Sequence, residues 1–197
     1  MKKIKFKIIL CLLLSFFLTQ QIQAQRFKAG LVAGFNMAQI EGDLLNGYHK
    51  LGLNGGIKVY TIFNDRWEMG LSFLYSQKGS AAARTDYLGS TYQKIKLNFV
   101  EVPVMVHFNE WKFKLGTGLS YARLINYEVI DVLGNDITAQ QLYNDNLISF
   151  VVGLSYMSSD HLLFNFRWSK SINNIFDNSD SGVFRSNVIA LRVIYVL

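Results

Sequence analysis

The sequence predicts an all-β protein: an eight-stranded antiparallel up-and-down transmembrane β-barrel that follows a cleaved signal peptide. Two observations lead to this prediction. Large apolar residues alternate with polar or small ones in eight segments, and the connections between the segments are alternately short and long. Alternation with a period of two residues is typical of β-strands, and the alternating connections match the short turns and long loops of outer-membrane barrels.

The segment from Arg66 to Gly79 shows the alternation most clearly. The positions predicted to face outward are all large and apolar, namely Trp67, Met69, Leu71, Phe73 and Tyr75. The opposite face carries a carboxylate, mostly small residues and then Lys78. A soluble lipocalin-like barrel would have the reverse arrangement, with a polar outer face and an apolar lining. The apolar outer face therefore favours a barrel that is surrounded by lipid.

Six further strands share this regular pattern. Their outward apolar faces run from Phe27 to Met37, Leu51 to Val59, Trp111 to Tyr121, Ile148 to Tyr156, Leu162 to Trp168 and Ile189 to Leu197. Turns are expected at Asn64–Asp65, Asn109–Glu110 and Ser158–His161, because such polar residues favour tight turns. The segment from Ile125 to Asn146 does not alternate, and it is predicted to be a long surface loop.

The fourth strand is irregular. Ile95, Leu97 and Phe99 are predicted to face outward, but beyond Phe99 the apolar positions become Val102, Val104 and Val106. A shift of one residue in the alternation predicts a β-bulge at Val100 and Glu101. The bulge would place Glu101 and Pro103, the only proline of the chain, on the inner face.

The first 24 residues are predicted to be the signal peptide, so that residues 25–197 form the barrel. A basic start is followed by an apolar run from Ile8 to Leu18 and by a cleavage site that ends at Ala24. The apolar run is shorter than the roughly 20 residues of a transmembrane helix. Four of the lysines lie in this leader, and their removal lowers the formal net charge from +6 to +2. No nucleic-acid partner is therefore expected.

Four charged residues of the predicted strands face the interior: Glu68, Glu101, Arg167 and Arg192. In a closed barrel of eight strands, the third strand faces the seventh and the fourth faces the eighth, while Lys58 and Lys114 flank the acidic pair. Such a barrel is just wide enough to be filled by side chains, and buried charges need partners. We therefore expect an ionic cluster that fills the lumen, and the alternative is a path for protons or ions.

No catalytic, cofactor or metal site is expected. His49, His107 and His161 lie on separate parts of the predicted topology, so they do not form a catalytic group. Asp131, Asp136 and Asp145 have spacings that match no EF-hand loop. Cys11 is the only cysteine and lies in the leader, which leaves no thiolate chemistry in the barrel.

Three segments carry a resemblance to a known family: K-A-G-L-V-A-G-F-N from Lys28 to Asn36, L-Y-S-Q-K-G from Leu74 to Gly79, and N-F-V-E-V-P from Asn98 to Pro103. With them the chain resembles the PorT-like small outer-membrane β-barrels of Gram-negative bacteria that use type IX secretion. It departs from the usual barrel ending because its final residue, Leu197, is not aromatic. The resemblance implies a barrel in outer-membrane lipid. The even number of strands and the alternating connection lengths predict periplasmic termini and extracellular long loops.

These observations together suggest a function in surface contact, or as a structural or accessory part of an envelope machine such as type IX secretion. The latter function would require an envelope or secretion protein as partner. The alternative is a narrow channel or transporter for ions or small solutes.

Overall fold

The computed structural model describes residues 27–42, 47–82, 92–140, 143–176 and 184–197, and the predicted signal peptide lies outside them. A single-turn 3-10 helix spans Thr138–Gln140. The described residues contain no helix that is long and apolar enough to cross a bilayer. The strands are β1 (Phe27–Glu41), β2 (Lys50–Ile62), β3 (Trp67–Ala81), β4 (Tyr92–Glu110), β5 (Phe113–Asp131), β6 (Asn146–Met157), β7 (Leu162–Ser171) and β8 (Arg185–Val196).

The strands form one closed antiparallel barrel in sequence order, which confirms the predicted fold class. Closure comes from β1 and β8, which pair from Gly30–Val196 to Glu41–Arg185. The connections after β2, β4 and β6 are short, and we call this the short-turn end of the barrel; the opposite end is the long-loop end. One predicted turn is displaced, because β4 continues through Glu110 and the chain turns at Trp111 and Lys112.

The outer surface is apolar over much of its height, as the alternation predicts. Leu51 and Leu53 are each 64% exposed, and similar residues project from β1, β3, β5, β6, β7 and β8. The residues between them face the interior and are mostly buried. This arrangement suits lipid on the outside, because exposed apolar side chains are stable there and the closed sheet leaves no backbone edge unpaired.

Strand β4 differs from the prediction. Ile95, Leu97 and Phe99 face the interior and are at most 1% exposed, so their predicted outward orientation is wrong. Burial continues on the odd-numbered positions through Glu101 and Pro103, both of which face inward as predicted. The alternation of β4 therefore has a single phase throughout this segment.

The bulge predicted at Val100 and Glu101 is absent. These residues pair with Tyr75 and Leu74 of β3, and the same register continues to the end of that ladder. The β4–β5 ladder carries two irregularities instead. One is at Gln93, between the Tyr92–Asp131 and Lys94–Ile130 pairs, and the other is in β5. The Asn98–Asn126 pair is followed by a Phe99–Leu124 pair, so Ile125 is the extra residue.

A change of surroundings explains the apparent shift of phase. Toward the short-turn end, Val104 and Val106 project outward from β4, as expected for lipid contact. Toward the long-loop end, the outward face carries Lys94, Lys96 and Asn98, while the inward face becomes apolar. The same strand is thus arranged for lipid over one part and for water over the other. The apolar residues change face because the surroundings change, and not because the backbone slips.

The inward apolar residues at the long-loop end form one cluster, which we call the upper cluster. Its buried members are Ile40, Ile95, Leu97, Phe99, Ala122, Val129, Tyr143, Leu147, Ile175 and Phe176. Aromatic side chains from the long connections close it, since the ring centroid of Tyr143 lies 4.9 Å from that of Tyr127 and 4.8 Å from that of Phe176. The segment predicted as a surface loop from Ile125 therefore begins as strand β5 and contributes Tyr143 to this core.

Polar side chains on the outer surface lie at the level where the surroundings change from lipid to water. The Tyr75 hydroxyl donates a hydrogen bond to Asn98 Oδ1 at 3.0 Å, and Asn98 Nδ2 donates to Asn126 Oδ1 at 2.5 Å. At the short-turn end, Trp67 packs edge-on against Phe108 with ring centroids 5.1 Å apart. Aromatic side chains with polar atoms favour the boundary between lipid and water, so these two levels delimit the lipid-facing band.

The orientation of β4 can be tested with the variant Leu97→Ala. Because Leu97 is buried in the upper cluster, its truncation is expected to lower the free energy of unfolding by about 2–5 kcal/mol. The measurement is urea unfolding of the folded protein in lipid vesicles. The neighbouring variant Lys96→Ala is the control and is expected to change the value by at most about 0.5 kcal/mol. A larger loss for Lys96→Ala than for Leu97→Ala would restore the predicted outward orientation.

Candidate functional site in the charged lumen

The membrane-spanning part of the lumen is lined by charged residues from six strands. The structure places all six sequence-predicted residues on the inner face: Lys58, Glu68, Glu101, Lys114, Arg167 and Arg192. Both carboxylates are 1% exposed. The alternation of each strand brings these side chains inward, and closure of the sheet brings them close together.

Glu68 is the centre of a first group near the short-turn end. Lys114 Nζ lies 2.6 Å from Glu68 Oε2, and Lys58 Nζ lies 3.8 Å from Glu68 Oε1. His107 Nδ1 is 3.9 Å from the same Oε1 atom. The two ammonium groups also lie 5.1 and 5.2 Å from the ring centroid of Tyr60, so cation–π attraction adds to the ion pairs.

Glu101 is the centre of a second group. Its Oε2 atom lies 3.0 Å from Lys78 Nζ, and its Oε1 atom accepts hydrogen bonds from Arg167 Nη2 and from Ser120 Oγ. Lys78 also lies 5.4 Å from the ring centroid of Phe99, which belongs to the upper cluster. The second group therefore lies directly below the upper cluster.

Arg192 does not pair with Glu101, although both side chains face inward. Its Nε and Nη2 atoms donate to Asn165 Oδ1 at 3.0 and 2.5 Å. Among the residues that the structure describes, no carboxylate lies within 4.0 Å of it. The predicted single cluster is thus two separate groups and one arginine without a carboxylate partner. Glu101 contacts Arg167 on β7 and not Arg192 on β8. The strand order predicts contact with β8, because the fourth and eighth strands face each other across the barrel.

Two members of these groups are absent from the predicted set. Lys78 lies on the inner face of β3, and the alternation that starts at Glu68 already placed it there. His107 lies on the inner face of β4 beside Glu68. The sequence signal for both is the phase of the strand, but contact with a particular carboxylate depends on neighbours from other strands.

Side chains fill the lumen at two levels. The two ionic groups occupy the membrane-spanning part, and the upper cluster fills the long-loop end. Between the ionic groups lies a narrow cavity that is lined in part by Lys58, His107, Arg167 and Arg192. Ion pairs buried away from water are held firmly, because separating the charges leaves them without solvation. The interior therefore resembles a packed core more than a pore.

The described residues contain no group of three His, Cys, Asp or Glu side chains that could hold a metal ion. His107 is buried in the lumen, while His161 lies at the turn before β7, where its Nδ1 is 3.0 Å from the carbonyl oxygen of Val196. The charged lumen is the main concentration of buried titratable groups in this part of the chain.

A closed eight-stranded barrel with an apolar outer band and a charged interior defines the class of small outer-membrane β-barrels. The family model described as outer membrane protein beta-barrel domain matches residues 20–177. The chain belongs to this family, and the protein is an outer-membrane protein in contact with lipid. Barrels of this class have short turns on the periplasmic side and long loops on the cell surface. The short-turn end of this barrel is therefore the periplasmic end, and the long-loop end is the extracellular end.

The fold also occurs in a solved structure. The chain is similar to Ail, the attachment invasion locus protein of Yersinia pestis, with a TM-score of 0.53 and 11% identity, over 87% of this chain and 99% of Ail. It is also similar to Neisserial surface protein A, with a TM-score of 0.49 and 18% identity, over 86% and 96% of the two chains. At these identities the likeness concerns the fold alone. No curated protein matches the sequence.

The variant Glu101→Gln tests whether the second group supports the barrel. The change leaves Lys78 and Arg167 buried without a negative partner, so we expect the free energy of unfolding to fall by about 3–5 kcal/mol. The measurement is denaturant unfolding in detergent micelles. Glu128→Gln is the matched control, because the Glu128–Lys94 pair is well exposed and such pairs contribute at most about 1 kcal/mol. If the Glu101→Gln variant is as stable as the unmodified protein, the second group does not stabilise the barrel.

Proposed function

We propose that this protein is a sealed, non-enzymatic barrel that acts through its extracellular rim, either in contact with other surfaces or as an accessory part of an envelope machine such as type IX secretion. The observation that carries this proposal is the double closure of the lumen by the ionic groups and the upper cluster. A barrel without a continuous opening has its loops and rim as the parts available for binding outside the lipid.

The rim is raised on one side by a three-stranded extension. Strand β5 pairs with β6 only as far as Arg123–Asn146, but it pairs with β4 as far as Asp131–Tyr92. Strand β3 also continues along β4 to the Ala81–Lys94 pair. At about 3.3 Å per residue, the eight residues from Leu124 to Asp131 extend about 26 Å along the strand. This extension carries side chains well away from the lipid.

The tip of the extension is held in a defined turn. Asp131 Oδ1 accepts hydrogen bonds from the backbone N–H groups of Leu133 and Asn135, at 2.9 and 2.8 Å. The hydrogen bonds from Asn135 hold the pKa of Asp131 below its ordinary value. Gly134 has a φ of 85°, which is a left-handed conformation that favours glycine. The turn presents Leu133, 83% exposed, toward the outside.

An exposed leucine on a hydrogen-bonded turn is well suited to contact. Because the turn is already ordered, binding through it costs less conformational entropy than binding through a free loop. The resemblance to PorT-like barrels supports an envelope or secretion protein as the partner, whereas Ail, of the same fold, is an attachment invasion locus protein.

Planar-bilayer recordings separate the sealed barrel from the alternative of a narrow channel or transporter. The unmodified protein is expected to give no porin-like conductance, because ions would have to pass both the ionic groups and the upper cluster. Glu101→Gln is expected to add little current, since the upper cluster remains in place. Steady single-channel steps from the unmodified protein would favour the channel and contradict the proposal.

A photo-crosslinking amino acid at position 133 tests the rim in intact cells. We expect a discrete protein adduct, and identification of the adduct by mass spectrometry distinguishes an envelope machine from a component of another surface. The same amino acid at position 115 is the control, because Leu115 projects from the lipid-facing band and is expected to crosslink mainly to lipid. If position 133 and other extension positions yield only the background of position 115, the proposed role of the rim is wrong.

A further inference from the structure

The membrane-spanning lumen contains more positive than negative side chains. The carboxylates are Glu68 and Glu101. The cationic residues are Lys58, Lys78, Lys114, Arg167 and Arg192. Five cations against two carboxylates give a formal excess of three positive charges among the described residues of this region. The ion pairs alone therefore do not balance the charge of the interior.

Both carboxylates are already shared between two cations. Glu68 lies between Lys58 and Lys114, and Glu101 lies between Lys78 and Arg167. In the part of the chain that the structure describes, the hydrogen bonds of the Arg192 guanidinium go to the amide oxygen of Asn165, which carries no net charge. An arginine remains protonated in proteins, so Arg192 cannot become neutral as a buried lysine can. A buried cation without a counter-charge is costly.

The cavity between the ionic groups contains a second sign of a missing partner. Arg167 lines this cavity and is 3% exposed, yet its Nη1 atom has no hydrogen-bond partner among the described residues. Arg192 and Lys58 line the same cavity. The free space is narrow, with room for about one particle the size of a water molecule. One unused guanidinium donor and uncompensated positive charge thus belong to residues that line the same small space.

We propose that this cavity binds one small inorganic anion of about the size of chloride, with Arg167, Arg192 and Lys58 as its surroundings. The anion would accept hydrogen bonds from the guanidinium groups and reduce the excess of positive charge. A water molecule could satisfy the donors but would leave the charge unchanged. Phosphate and organic carboxylates need more room than the cavity offers. The bound anion is a fixed part of the lumen and requires no conduction.

The first test is thermal unfolding of the detergent-folded protein while chloride replaces gluconate at constant ionic strength. General screening by salt is then the same throughout, and gluconate is too large for the cavity. We expect the midpoint temperature to rise with chloride and then to saturate, with a total shift of about 4 °C or more. A flat response would overturn the proposal.

The variant Arg192→Met identifies the site. Removal of this charge is expected to abolish most of the chloride-dependent shift, whereas the matched variant Lys94→Met should retain it, because Lys94 lies on the outer surface of the extension. An undiminished shift in Arg192→Met would place the anion elsewhere and overturn the assignment.

Crystals of the unmodified protein that was folded and crystallised in bromide give an independent test that requires no variant, because the ion is then present while the lumen forms. We expect an anomalous peak in the cavity beside Arg167 and Arg192. Peaks confined to the outer surface would show an adventitious ion only and would contradict the proposal, as would the absence of any peak.

Discussion

Inside a bilayer no water is available to the backbone, so every N–H and C=O group of a spanning chain must be paired within the protein. The ladder between β1 and β8 meets this requirement by closing the sheet. Closure has a further effect on the side chains. Every second residue of each strand is turned into a confined interior, whatever its chemistry, and Glu68, Glu101 and Arg167 must find their partners there.

The confined side chains are stabilised in different ways in the two parts of the lumen. In the membrane-spanning part, charged residues form shared ion pairs, whose strength depends on each partner being present. Above the lipid, apolar residues pack as they do in a soluble protein, and their contribution follows the apolar area that they bury. Lys78 joins the two regions, because it pairs with Glu101 and lies against the ring of Phe99.

Strand number, order and the outward face of seven strands follow from the sequence, because lipid on one side produces a strong period of two. Strand β4 could not be predicted in the same way. Its apolar residues change from odd to even positions, from Ile95 and Leu97 to Val104 and Val106. This pattern is equally compatible with a bulge and with a change of surroundings. The alternation also could not predict which side chains contact Arg192. Those contacts depend on the stagger between strands and on the length of the side chains.

The outer surface of β4 changes from amide to apolar side chains between Asn98 and Val100, and Trp67 with Phe108 marks the other boundary. Outer-membrane barrels carry an apolar band about 25 Å tall, which is thinner than a typical hydrocarbon core of about 30 Å. The strands are joined all round the barrel, so they cannot tilt independently to meet a thicker bilayer. The lipid next to the barrel must instead become thinner to match the band. The protein therefore imposes its own thickness on the surrounding membrane, and neighbouring barrels of equal height would share that distortion at lower cost.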